Sequence, residues 1–172
     1  MLTKNFYSFI RAALSTPNST SADFTKTDGT TTSIFFNNGY PPFRIMNVWA
    51  TGISQNGVSF GTGTTPATVS DYFLESILTD TQISVSTPSA VNFSRYDTYE
   101  EYTVTFGITN KTAEAISISE VGLTADPYRP SSGSNYVHAM VDRTVLDTPV
   151  TIPANQSKQI TYTIRFNYGD AV

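Results

Sequence analysis

The chain has 172 residues and no cysteine, so it is the length of one ordinary domain, and neither disulfides nor thiolate metal sites enter its chemistry. Charged residues are 14% of the total and the net charge is −4, against roughly 25% charged in an average soluble domain. There is no basic block and no apolar run near the ~20 residues of a bilayer span, so neither nucleic acid nor a membrane is expected as a partner.

Apolar residues at Leu2, Phe6, Phe9, Ile10 and Ala13 fall at a helical period. Arg11 interrupts the apolar stretch, so this is expected to be mature chain and not a signal peptide. The expectation is an N-terminal helical or extended arm, with Leu2, Phe6, Phe9 and Ile10 as interface residues, docked on its own domain or on a neighbouring subunit. Residues 15–32 are polar and carry Pro17, Asn18, Asp28 and Gly29, which predicts a linker. Residues 1–32 thus form an arm and linker, and residues 33–172 a β-sandwich domain.

Strands are expected from Ser33, across a turn at Asn37–Gly39, over Arg44–Ala50, and around Val58 to Phe60. Gly61-Thr-Gly-Thr-Thr-Pro66 follows. A Thr before a Pro suits a helix start, so a short helix or turn is predicted near Val69–Leu78.

The second half alternates more clearly. Tyr102, Val104, Phe106 and Ile108 interleave with polar or small residues, as do Ile116 and Ile118; Val137, Ala139 and Val141 alternate with His138, Met140 and Asp142. Ile160, Tyr162, Ile164 and Phe166 make the most regular case. Period two marks strands with one buried face, paired antiparallel. Residues 125–135, rich in Pro and Ser, are expected to form an exposed loop. The fold class is all-β: an antiparallel β-sandwich, jelly-roll-like, with the arm and the one short helix.

The chemistry-bearing residues do not assemble into a reaction motif. His138 is the single histidine. Gly61-x-Gly63 lacks the remainder of a phosphate loop and suits a tight turn better. Asp71, Glu75 and Asp80 do not match calcium-loop spacing, which leaves them as scattered surface carboxylates. Phe93, Tyr96, Tyr99 and Tyr102 form an aromatic group expected in core and loop packing, with sugar stacking as the alternative. Glu120 continues the face of Ile116 and Ile118, where an unpaired charge is expensive. Either it pairs with Arg143 or a bulge turns it outward.

Three segments form a set: Gly61-Thr-Gly-Thr-Thr-Pro-Ala-Thr68 with Asp71 and Leu74-Glu75; Ile118-Ser-Glu-Val-Gly-Leu123; and Asp142 to Val150 followed by Ile160-Thr-Tyr-Thr-Ile164. In order and spacing this set resembles tailed-bacteriophage virion structural proteins over about residues 45 to 168. The stretch from Leu123 to Tyr136 departs from it, being longer and richer in Pro and Ser.

The resemblance implies a β-sandwich whose work is assembly, as a neck or tail component or a capsid decoration protein. No catalytic residue, cofactor or metal is then expected. The partners are other virion proteins and copies of the chain itself, and the place is the virion, assembled in the host cytoplasm. The competing expectation is a host-surface carbohydrate module using Tyr96, Tyr99 or the 125–135 loop.

Overall fold

The structure, a computed structural model, describes residues 1–14, 21–35, 57–86, 90–125 and 138–167. The expected turn at Asn37–Gly39, the strand at Arg44–Ala50, Val137 and the loop beyond Ala125 lie outside the described residues.

A single α-helix, α1 (Lys4–Leu14), precedes nine strands among the described residues. These are β1 (Ser21–Thr25), β2 (Thr31–Phe35), β3 (Gly57–Gly61), β4 (Ile83–Val85), β5 (Ala90–Arg95), β6 (Tyr99–Asn110), β7 (Ile116–Ala125), β8 (Ala139–Ile152) and β9 (Ser157–Asn167). Every pairing is antiparallel. Beside a two-stranded β1-β2 sheet stand two larger ones: one runs β3-β7-β8, and the other centres on β6, flanked by β9 and by β5 and β4.

The two sheets pack face to face in a sandwich-like fold. Tyr102, Val104, Phe106 and Ile108 of β6 are buried at every second position, as period two demands. They meet Phe60, Ile118, Val121 and Leu123 of the facing sheet, with the Phe60 and Phe106 rings edge-on at 6.2 Å. On the other face of β6, hydroxyls pair across to β9: Thr105 with Thr161 at 3.0 Å and Thr103 with Thr163 at 3.3 Å.

The structure corrects or decides three expectations. The first concerns residues 21–35, expected largely as linker, which form the β1–β2 hairpin. Its Ala22 and Phe24 belong to the hydrophobic core, and Phe24 is fully buried. Alternation over Ala22-Asp23-Phe24 is only three residues long, too short to stand out in a polar sequence.

The second concerns the arm, left open between its own domain and a neighbouring subunit, which lies on its own body. Buried Asn5 bridges two elements: its amide donates to the carbonyls of Thr25 and Met140, and its oxygen accepts from the Thr25 amide. Leu2 bridges to Asp142, and Thr3 donates its amide to Val141 and its hydroxyl to Met140. Residues 1–3 thereby line the free edge of β8. Phe6 is half-buried against the core and its ring faces Phe166 at 6.3 Å, while Ile10 is exposed. Phe9 falls on α1, but its side chain is outside the described set.

The third concerns Val69–Leu78, expected as a short helix or a turn. That segment is a chain of turns. Thr68 does donate twice to the Asp71 carboxylate, from its amide at 2.9 Å and from its hydroxyl at 2.7 Å. The Asp71 carboxylate is also engaged from outside the segment, and Leu74 is drawn down onto Gly122, where an added Cβ would stand 2.9 Å from a Leu74 methyl.

Candidate functional site: a carboxylate–guanidinium clasp

Residues 62–78 leave β3 and return to its end, forming a strap. Its base is zipped by the Thr62 amide to the Ser76 carbonyl and the Leu78 amide to the Phe60 carbonyl, both at 2.9 Å. The strap crosses the face of the β3-β7-β8 sheet that points away from the sandwich interior. Leu74, Gly122 and Met140 meet there, apart from the main core cluster.

Glu120 reaches this face because β7 is irregular. The register with β8 shifts between Ile118 and Glu120. Ile116 and Ile118 join the core before the shift, and Val121 and Leu123 join it after. Glu120 is therefore turned to the opposite face with Gly122, but the strap covers it completely, at 0% exposure. Both devices raised by the sequence operate together: the bulge re-aims the side chain, and Arg143, which pairs with Gly122 across the strands, supplies the counter-charge.

Arg143 is the hub. Its Nε donates to Glu120 Oε2 at 2.9 Å, Nη1 donates to Asp71 Oδ2 at 2.8 Å, and Nη2 donates to the Thr65 carbonyl at 3.1 Å. Glu75 Oε2 lies 3.6 Å from Nη2. Glu120 accepts three further bonds, from the amides of Gly63 (3.1 Å), Ser76 (2.7 Å) and Glu75 (3.1 Å). Glu75 in turn accepts the Thr64 and Thr65 amides at 2.9 and 2.8 Å. Three carboxylates thus face one guanidinium, and backbone amides of the strap offset the excess negative charge, as in other amide-lined anion pockets.

Electrostatics follow the contacts. Burial pushes the Asp71 carboxyl up, but hydrogen bonds from Thr68 and Arg143 outweigh it, and the group sits below its ordinary range. The Thr65 amide and hydroxyl hold Glu75 below its range. Burial lowers the Arg143 guanidinium, and its bonds to Asp71 and Glu120 more than reverse this.

Asp71 and Glu75 are therefore not scattered surface carboxylates, as the sequence suggested; both are tied to Arg143. Asp80 lies apart, its carbonyl accepting from Lys111 at 2.6 Å. The glycines are dictated by the same crowding: a Cβ on Gly61 would stand 2.5 Å from Glu120 Oε1 and 2.6 Å from the Ser76 carbonyl.

A second buried polar group was not legible in the sequence. Alternation predicts Asp142 outward, yet it is 6% exposed and faces the sandwich interior. The Tyr162 hydroxyl donates to it, as does Thr144 at 3.1 Å, and the Met1 ammonium lies 3.0 Å away. Burial, reinforced by the Asp142 charge, pushes the Tyr162 hydroxyl far above its ordinary range, so it stays a donor. This bond ties β8 to β9 across the two sheets.

The aromatic group is divided. Tyr102 is buried, while Phe93 beside it is 80% exposed. Tyr96 stacks on Tyr99 at 4.4 Å with the Arg165 guanidinium 4.1 Å from the Tyr99 ring centre. His138 is half-buried just ahead of β8, and its carbonyl accepts the Thr27 amide at 3.0 Å.

Among the described residues, no three metal-ligating side chains converge on a cation position; the clasp carboxylates converge on a guanidinium. What the arrangement does chemically is fasten a loop: charge and amide donors lock the strap to the sheet and fix the direction of what it displays. At its outer surface it holds Val69, Tyr72 and Phe73, each more than a third exposed. Compared with protein-family models, curated proteins and solved structures, the chain gives no match.

Proposed function

We propose that this chain is a non-enzymatic structural protein of a bacteriophage particle, a neck or tail component or a capsid decoration protein, which works through contacts with other virion proteins and with its own copies. One observation carries the reading. The three segments whose order and spacing resemble virion proteins are far apart in sequence, yet each contributes to the clasp: Asp71 and Glu75, then Glu120, then Arg143. What the segments share is a device for building a stiff loop on a β-sandwich. A stiff loop suits assembly, because a surface that is already ordered loses little conformational entropy on docking. The apolar display of Val69, Tyr72 and Phe73 is the surface such docking would use.

The test is the copy number of the chain in purified particles, measured by quantitative mass spectrometry. Assembly predicts a stoichiometry fixed relative to the major capsid or tail protein, and a several-fold loss of incorporation for Phe73→Asp with the fold intact. Absence of the chain from washed particles would overturn the reading.

A second reading has one observation in its favour. Tyr96 offers an exposed ring braced by Tyr99 and Arg165, the form of a sugar-stacking platform. A glycan array decides it: binding abolished by Tyr96→Ala supports a carbohydrate role, and a blank array removes it.

A further inference from the structure

β9 pairs with β6 over eleven consecutive residue pairs with no register shift. Among the described residues β6 is its only strand partner. A long, regular second edge presents a row of N–H and C=O groups ready for another strand, which proteins usually guard with charge, Pro or a bulge. The centre of β9 has none of these. Lys158 and Arg165 are its only charges, and Arg165 is drawn over its own sheet by Glu101 at 2.6 Å. Between them, Gln159–Ile164 is uncharged and dominated by β-branched and aromatic residues.

That centre is a palindrome: Ile160-Thr161-Tyr162-Thr163-Ile164. Two copies laid antiparallel about Tyr162 would place Thr161 against Thr163 of the second copy and Ile160 against Ile164. Lys158 would fall opposite Phe166, and Arg165 opposite Gln159, so no like charges meet. Thr161 and Thr163 are exposed and already stand in hydroxyl pairs with Thr105 and Thr103. Pairing would extend these into rows of four across the join.

We propose that β9 is the edge through which two copies of this chain join, antiparallel about Tyr162, into one continuous sheet with two-fold symmetry. The use of such a pair as an assembly unit rests on the function proposed above; the pairing itself does not.

Sedimentation of the full chain across a concentration series tests it. The expected wild-type limit is twice the 18.8 kDa chain mass. Thr161→Lys with Thr163→Lys opposes lysines across the axis and should halve that mass; the matching double Glu variant should do the same; mixing the two should restore it. Thermal melting checks that each variant folds. Should a variant fail to fold, hydrogen exchange of the wild type replaces it, with slower exchange at residues 159–165 expected at high concentration.

A wild type that stays at the single-chain mass overturns the pairing, as do variants that still dimerise, a mixture that does not, or exchange independent of concentration. A chain that is monomeric yet incorporated in particles overturns the pairing alone. A chain that dimerises through β9 but is absent from particles upholds the pairing and overturns the assembly reading.

Discussion

Glu120 has no solvent contact and four donors around its two oxygens, so nothing but a full carboxylate suits the position. Glutamine would turn an amide group toward donors it cannot satisfy. Removing one partner of a buried pair costs about 3–5 kcal/mol, and Glu120→Gln is expected in that range by denaturant unfolding. Arg143→Met strands Glu120 and Asp71 together and should cost at least as much. Because both variants disrupt one contact, the double variant should lose less than the sum, with a coupling of about 0.5–3 kcal/mol; additive losses would contradict the pairing. Gly61→Ala is a separate residue-scale prediction. The added methyl meets the Ser76 carbonyl, a backbone atom that cannot swing away, so a loss of about 1–3 kcal/mol is expected from overpacking.

At the scale of elements, the strap and the hairpin make opposite demands. The strap is held by charge, so it responds to pH. Asp71 and Glu75 have folded-state values below their ordinary 3.8 and 4.5, so the unfolded chain takes up protons more readily than the folded one. Their contribution is complete above the ordinary carboxylate range and is lost as pH falls through the lower folded values. Melting temperature should therefore drop steeply below about pH 4, and Asp71→Asn should flatten that drop while lowering stability near neutrality. The hairpin is held by apolar burial. Phe24→Ala should cost about 3–5 kcal/mol if β1–β2 belongs to the body, and close to nothing if those residues were a linker.

Legibility also divides by element. β6 is plain because one face is buried along most of its length, and β9 because Ile160, Tyr162 and Ile164 turn inward between exposed neighbours, although Phe166, expected on the same face, is exposed. The Glu120–Arg143 pair was legible because a charge on an apolar face demands an explanation. The remaining clasp was not: Asp71 and Glu75 sit in a polar strap with no periodicity, and only tertiary approach to Arg143 distinguishes them from surface carboxylates. β8 misled because both of its faces are covered near Asp142, one by the opposite sheet and one by the strap, so alternation loses its meaning there.

For the molecule as a whole, the architecture is a two-sheet body with its N-terminal segment folded back along the β8 edge and a locked loop on one outer face. The arm that could have reached a neighbour is instead held within its own chain by Asn5 and Thr3. That shifts any role in contacting neighbours to surfaces that remain exposed, the strap display and the outer side of β9. The proposed virion role is decided by electron cryomicroscopy of bacteriophage particles assembled in cells that make this chain. Density for the sandwich is expected at symmetry-related positions, with the residue 62–78 strap facing a neighbouring protein. Particles complete in every other component but without that density, or with the strap turned to open solvent in every copy, would contradict it.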